Sequence, residues 1–128
     1  MVKKASQVKA LKKAHKSQTF DVVGIQYRAS QHFRRELASK LPLRVDLVRE
    51  PRNEHDPNAV SVEIHESGMK IGYLRRAVAE VMAPAFDNNS LVCVWAELIT
   101  LDPETSEATA EIWLNHEGKL ALDKFPPR

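Results

Sequence analysis

The amino-acid sequence predicts a mainly β (α+β) domain, built as a small six-stranded β-barrel with one or two accessory helices. Six short segments carry apolar residues in a strand-like pattern, and turn-forming clusters separate most of them. Most connections are too short for the crossover that parallel neighbours need, so antiparallel pairing is expected. A chain of 128 residues has room for one such domain.

The first 17 residues form the most biased segment, with six lysines and no acidic residue. Val8 and Leu11 give only a thin apolar stripe, which is too narrow to anchor a stable helix. We therefore assign residues 1–17 to a flexible or conditionally helical basic arm. The barrel domain is assigned to residues 18–118, and a C-terminal tail to residues 119–128.

The first strand is predicted at residues 20–27, where apolar side chains occur on both faces. Gly24 lies in the middle of this run, and a bulge or a close backbone approach would explain a glycine there. A short helix is predicted over residues 30–39, with Ser30 as its N-cap.

Residues 45–85 predict much of the remaining architecture. Residues 60–64 alternate apolar and polar side chains, which is typical of a half-buried strand. A turn at residues 66–68 leads into the second arm of a hairpin, and residues 75–85 place their apolar side chains on one helical face. The other five strands are predicted at residues 43–49, 58–65, 69–74, 91–100 and 108–115.

Charge is distributed unevenly along the chain. Residues 1–40 hold ten Lys or Arg against two acidic residues, a net charge of +8, whereas the other 88 residues hold nine basic and fifteen acidic residues, a net charge of −6. This asymmetry favours a basic face for an anionic partner, with nucleic acid first. The plain alternative is a solvated arm without a partner.

The cysteine content and the hydropathy of the sequence indicate the compartment in which the protein is expected. Cys93 is the single cysteine, so there is no disulfide framework, and its place in a predicted strand makes it a poor nucleophile. No apolar run reaches transmembrane length, and the lysine-rich start lacks the apolar core of a signal peptide. We expect a cytoplasmic protein without membrane contact.

Several short motifs together carry a resemblance to a known family. They are Val23-Gly24-Ile25-Gln26-Tyr27, Arg49-Glu50-Pro51, Asn53, Asp56-Pro57-Asn58-Ala59-Val60 and Ile71-Gly72-Tyr73-Leu74. At this mutual spacing, over residues 20–115, the sequence resembles the HIRAN domain. The resemblance implies an OB-like barrel that binds the ends of single-stranded DNA.

The loop at residues 50–57 is the first candidate site. Asn53, His55 and Asp56 bring hydrogen-bonding side chains between two prolines. Such residues more often bond their own backbone in turns, which is the plain alternative. The resemblance implies that Asp56, with Asn53 beside it, accepts a hydrogen bond from a free 3′-hydroxyl. A carboxylate suits a hydroxyl there, because it would repel a phosphate.

The second candidate is Tyr27, with Arg28 and Tyr73 counted as further nucleic-acid-binding residues. Tyr27 is expected at the edge of the sheet, either stacking on a splayed base or lying in the core with its hydroxyl at the rim. DNA-binding members of the family tend to have an Arg and two aromatics in this strand and a Tyr before the Asp. This chain has Gln26-Tyr27-Arg28 and His55 instead, so one stacking face is missing or replaced by an imidazole.

The third candidate is the pair Arg75 and Arg76 at the start of the predicted helix. Two guanidiniums beside the free amides of a helix start suit a phosphate. The alternative is a charged face that pairs with Glu80 or other nearby acidic residues.

The sequence contains no recognised catalytic motif, cofactor loop or His/Cys metal spacing, so we expect no enzyme activity and no cofactor. We predict a DNA-binding module for single-stranded ends, with the lysine-rich arm adding electrostatic attraction. The alternative is a protein-interaction module that partners an enzyme. A small metal-dependent nuclease, built from His55, Asp56 and Glu63, is a remote third hypothesis. The expected partners are DNA and a helicase or nuclease on another chain.

Overall fold

The computed structural model describes residues 5–115 of the chain. In this range the structure contains three α-helices, one short 3-10 helix and six strands. In chain order they are α1 (Ala5–Ala14), β1 (Lys16–Val23), the 3-10 helix (Ile25–Tyr27), α2 (Gln31–Ala38), β2 (Leu43–Arg49), β3 (Val60–Ile64), β4 (Lys70–Leu74), α3 (Arg76–Asp87), β5 (Cys93–Leu101) and β6 (Ala108–Leu114).

The six strands close into one antiparallel barrel in the order β1-β4-β3-β2-β5-β6. β1 pairs with β6 from Lys16 opposite Leu114 to Val22 opposite Ala108. Its last two residues also pair with the end of β4, which closes the sheet. The predicted fold class, a six-stranded OB-like barrel with accessory helices, is confirmed.

The barrel interior is filled by the alternate apolar residues that the sequence pattern singled out. Val60 and Val62 of β3 are fully buried, and Ile64 is nearly so. α3 adds its apolar face, with Met82 and Ala83 buried against the barrel core. Burying one Val, Ile or Met side chain stabilises the fold by about 1.5–3 kcal/mol. α3 is therefore held in place by packing, and its first turn has a fixed position on the barrel.

A close approach of two backbones joins β1 to β4. A Cβ added at Gly72 would lie 2.6 Å from the carbonyl oxygen of Val23, which no real side chain tolerates. Because residue 72 is a glycine, the end of β1 can lie directly against β4 beside Tyr73. This contact brings the segment that follows β1 to the candidate site.

The predicted first strand, residues 20–27, is displaced in the structure. β1 starts four residues earlier, at Lys16, and ends at Val23. Gly24 follows with a φ of +84°, a left-handed conformation that ends the strand and begins the 3-10 helix. The prediction of Tyr27 on a sheet edge is therefore wrong, because Tyr27 lies in the 3-10 helix with 85% of its surface exposed.

Most of the segment assigned to the basic arm is structured. Residues Ala5–Ala14 form α1, and β1 begins at Lys16, inside the assigned arm. Lys12 joins α1 to the barrel, because its ammonium lies 2.8 Å from Glu97 and 4.7 Å from the ring centre of Trp113. The assigned tail, residues 119–128, lies outside the described residues.

The structure also bears on two sequence predictions, that Cys93 is a poor nucleophile and that the chain has no transmembrane segment. Burial raises the pKa of the Cys93 thiol to about 12, although a backbone hydrogen bond with Trp95 opposes the shift, so the thiolate is scarce at neutral pH. Across residues 5–115, no helix combines the length and apolar character needed to cross a bilayer.

Candidate functional site

Six of the eight predicted site residues line one open groove of about 400 Å³. Its walls are formed by the end of β1, the residue that follows the 3-10 helix, the β2–β3 loop, the end of β4 and the start of α3. Tyr27 and Arg75 are the two predicted residues that do not line it. The lining residues are Val23, Arg28, Asn53, His55, Asp56, Ala59, Tyr73, Leu74 and Arg76.

The β2–β3 loop is held by its own Asn and Asp side chains. Asn53 Oδ1 accepts hydrogen bonds from the backbone N–H groups of His55 and Asp56, at 2.9 and 3.0 Å. Asp56 Oδ1 accepts from the N–H of Asn58 at 2.9 Å. These are the turn contacts that short polar side chains make with their own backbone. They fix the loop, and they leave Asp56 Oδ2 facing Arg76, whose Nε lies 4.0 Å away.

Glu50 connects this loop to the barrel wall, and sequence reasoning missed its role. One carboxylate oxygen, Oε1, accepts from the hydroxyl of Tyr73 at 2.8 Å and from Nδ2 of Asn53 at 2.9 Å. The other oxygen, Oε2, forms an ion pair with Lys70. Glu50 therefore ties the loop residue Asn53 to the groove residue Tyr73. We call Glu50, Asn53, Lys70 and Tyr73 the Glu50 network.

The Glu50 network shifts the pKa values of its two charged members, Glu50 and Lys70. Burial raises the pKa of Glu50, but the hydrogen bonds from Lys70, Asn53 and Tyr73 outweigh it and lower the pKa to about 2. The hydrogen bond to Glu50 raises the pKa of Lys70, which burial opposes. Both groups are thus charged at neutral pH, and the pair neutralises itself next to the groove.

Arg28 and Tyr73 contact each other and form another part of the groove lining. The Arg28 guanidinium lies 5.4 Å from the ring centre of Tyr73, within the range of a cation–π contact, and its Nη2 donates to the Tyr73 hydroxyl at 3.4 Å. Arg28 is exposed, and the Arg76 side chain retains 81% of its surface. The groove therefore presents two accessible guanidiniums around the carboxylate of Asp56.

Arg75 and Tyr27 lie outside the groove lining. Arg75 is the N-cap residue of α3 and makes no side-chain cap, and its Nη1 lies 3.4 Å from Asp21 of β1. The sequence alternative was a charged face that pairs with Glu80 or other nearby acidic residues. In the structure, Arg75 and Arg76 form ion pairs with the acidic residues Asp21 and Asp56. Tyr27 is the most exposed large apolar side chain in the described part of the chain.

The side chains that line the groove carry groups suited to binding an anionic ligand that also has a hydroxyl group. Within residues 5–115, no group of three or more His, Cys, Asp or Glu side chains is arranged to hold a metal ion, so His55, Asp56 and Glu63 do not form such a group. The groove offers guanidiniums for anions, a carboxylate for a hydroxyl donor, and the rings of Tyr73 and His55 for a flat apolar group.

A family model for the HIRAN domain matches residues 15–116 of the chain. The chain belongs to the HIRAN domain family. Its fold is similar to a crystal structure of the HIRAN domain of human HLTF, at a TM-score of 0.66 and 20% identity, covering 88% of this chain and 92% of that one. An NMR structure of the HLTF HIRAN domain in its DNA-bound conformation matches with a TM-score of 0.57 and 21% identity, over 84% of this chain and 86% of that one.

Two further relatives extend the comparison. A protein from Lactobacillus plantarum is 25% identical with a TM-score of 0.60, and the match covers 79% of this chain and 98% of that one. An Arabidopsis thaliana protein, named as a SWI/SNF-related matrix-associated actin-dependent regulator of chromatin, subfamily A member 3-like 1, is 35% identical over 72 residues. That match covers 56% of this chain and 7% of the Arabidopsis protein.

Proposed function

We propose that this chain is a DNA-binding module whose groove takes the 3′ end of a single strand. The observation that carries the proposal is the convergence of Arg28, Arg76 and Asp56 on one open groove beside the ring of Tyr73. Membership of the HIRAN family, and the DNA-bound conformation solved for the HLTF domain, support DNA as the ligand.

Asp56 is the residue that would distinguish a 3′-hydroxyl from a phosphate. Its Oδ1 is occupied by the turn, whereas Oδ2 faces the groove side of Arg76. A terminal hydroxyl can donate to Oδ2, and a terminal phosphate would instead bring a second anion next to the carboxylate. Charge-assisted hydrogen bonds contribute about 1.5–3 kcal/mol, so a discrimination of about tenfold or more is expected.

The guanidiniums would hold the backbone phosphates of the same strand. Arg28 and Arg76 line the groove, and Arg75 lies next to Arg76 at the start of α3, where the helix dipole adds to the positive potential. The rings of Tyr73 and His55, which belong to the groove lining, would contact the terminal base or sugar. Tyr27, outside the groove lining, is an exposed ring for a base further along the strand.

The test is fluorescence anisotropy with matched oligonucleotides that end in a 3′-hydroxyl or a 3′-phosphate. Wild type should bind the hydroxyl end more tightly. Asp56→Asn should remove the preference while keeping the loop, because an amide oxygen can still accept from the Asn58 N–H. Glu54→Gln, at an exposed acidic residue of the same loop, is the control and should keep the preference. Equal wild-type affinity for the two ends would refute end recognition.

We also propose that the module supplies the DNA contact for an enzyme, such as a helicase or nuclease, outside this chain. The support is the Arabidopsis relative, of which this chain matches a small part. A module that contacts only protein is the competing function. It would bind no oligonucleotide in the anisotropy assay.

A further inference from the structure

We propose that α1 is a second phosphate-binding surface, remote from the groove, which contacts DNA several nucleotides away from the end held there. This inference rests on the proposed DNA-binding function and adds a second contact to it. It gives Lys12, which packs against the barrel, a different role from the exposed lysines of α1 and the start of β1, although the sequence pattern grouped them in a single basic arm.

α1 has one face against the barrel and one face in solvent. Val8, Leu11 and Lys12 of α1 are half-buried, as is His15 just after the helix, and the other residues of α1 are exposed. On the packed face, Lys12 is neutralised by Glu97 and lies over Trp113. Lys12 is therefore an anchor for the helix and is not available to a ligand.

Lys9, Lys13 and Lys16 form the solvent-facing set. All three are exposed, and none has an ion-pair partner among residues 5–115. Lys9 and Lys13 are four residues apart on the helix, a like-charge spacing that costs about 0.2–0.5 kcal/mol in an isolated helix. α1 also contains no acidic residue that could relieve this repulsion. A polyanion would relieve it, and phosphates at a regular spacing match a row of lysines.

The marginal stability of α1 points in the same direction. It has ten residues, none of them fully buried, and a helix of this length is unstable in water without added contacts. The Lys12 contacts supply a part of that stabilisation. Phosphates bound by the three exposed lysines would supply more, so DNA is expected to order α1 further.

The distance between α1 and the groove makes the two contacts separable. α1 leads into the first residue of β1, Lys16, whereas the groove begins at its last residue, Val23. Seven steps of about 3.3 Å place these residues about 23 Å apart along the strand. A trinucleotide, at about 3.4 Å per phosphate in a stacked strand, cannot reach both, whereas a strand of 16 nucleotides can.

The experiment compares a trinucleotide with a 16-nucleotide strand of the same 3′ sequence, by fluorescence anisotropy across a range of salt. The variant carries Lys9→Gln, Lys13→Gln and Lys16→Gln, because glutamine keeps the helix propensity and removes the charge. The control carries Lys→Arg at the same three positions and keeps the charge. Substitution replaces the simpler deletion of residues 1–17, which would remove Lys16 and Ser17 from the β1–β6 pairing.

The expected result has two parts. The Gln variant should bind the trinucleotide like wild type, and should bind the 16-nucleotide strand about 10- to 100-fold more weakly at 0.1 M salt. For the long strand, the slope of log K against log salt should become shallower by about 2, since each single-strand phosphate contact contributes about 0.7. The Arg control should match wild type with both.

Other outcomes separate the two proposals. An unchanged affinity and slope for the long strand would overturn the α1 contact and leave the groove proposal standing. An equal loss with the trinucleotide would overturn the claim that the surface is remote. If the Gln variant loses affinity for the long strand but Arg76→Ala binds both strands as tightly as wild type, the α1 contact stands and the groove proposal is overturned.

Discussion

Glu50→Gln is the change that most directly tests how the groove is held together. Glutamine keeps the size of the side chain and can still accept from Asn53 or Tyr73, but it loses the ion pair with Lys70. The pKa of Glu50 is lowered from 4.5 to about 2 in the folded protein. Such a shift corresponds to a few kcal/mol of stabilisation, which we discount to about 1–2 kcal/mol because 19% of the side chain remains exposed.

The stability loss should depend on pH in a defined direction. Since the folded-state pKa is lower than the unfolded one, the charged Glu50 stabilises the fold fully above pH 4.5, and this contribution disappears as the pH falls towards 2. Urea denaturation should therefore show the variant about 1–2 kcal/mol less stable than wild type at pH 7. The difference between the two proteins should shrink as the pH falls from 4.5 towards 2.

A matched control separates the network from general charge removal. Glu80→Gln removes an exposed carboxylate on α3 and should change the free energy of unfolding by less than about 0.5 kcal/mol, both at pH 7 and below pH 4.5. Glu50→Gln should also weaken DNA binding, because a neutral amide oxygen holds Asn53 less strongly than a carboxylate does, and Asn53 positions the loop around Asp56. If Glu50→Gln equals wild type in stability at pH 7 and shows the same pH dependence, the network does not hold the site.

Two further variants test the groove and its support. Arg75→Ala with Arg76→Ala should weaken DNA binding by about 1–3 kcal/mol in anisotropy, yet change the free energy of unfolding by less than about 1 kcal/mol, since the exposed pairs and the unfavourable helix-dipole position offset each other. A large loss of stability with intact binding would make the two arginines structural. Gly72→Ala should destabilise the fold by about 1–3 kcal/mol in urea, because its Cβ meets the Val23 carbonyl oxygen at 2.6 Å. An unchanged urea midpoint would mean that β1 and β4 can move apart around the new Cβ without loss of stability.

The periodicity of apolar residues predicted the bounds of β2, β3 and β4 well. The second strand was predicted at its observed bounds, Leu43–Arg49, and the hairpin of β3 and β4 was correct to within two residues. The first strand was displaced because Gly24 was interpreted as a bulge within a strand. In the structure its positive φ ends the strand, and a single sequence does not distinguish these two uses of glycine.

The sequence predicted only a flexible or conditionally helical segment where the structure has α1. Its apolar stripe is narrow, and part of its packed face is the charged residue Lys12. Its partners Glu97 and Trp113 lie 85 and 101 residues later in the chain. Local pattern reasoning does not include such a contact.

The candidate site was predicted in outline by motif resemblance, which named six of the groove-lining residues. The Glu50 network was missed, although Glu50 and Tyr73 belong to the motifs. Its members come from the β2–β3 loop and β4, and they meet because β3, which follows the loop, pairs with both β2 and β4. No spacing along the chain signals that meeting.

The most direct measurement of the central claim is an NMR titration of the chain with a trinucleotide that ends in a 3′-hydroxyl. The account predicts that the largest amide shift changes occur at residues 53–56, 58 and 59, at Tyr73 and at Arg76, around the groove. The amides of α1 should be unaffected, because the trinucleotide is too short to reach them. Changes confined to the β5–β6 wall, or none at concentrations that saturate binding, would contradict the assignment of this groove as the DNA site.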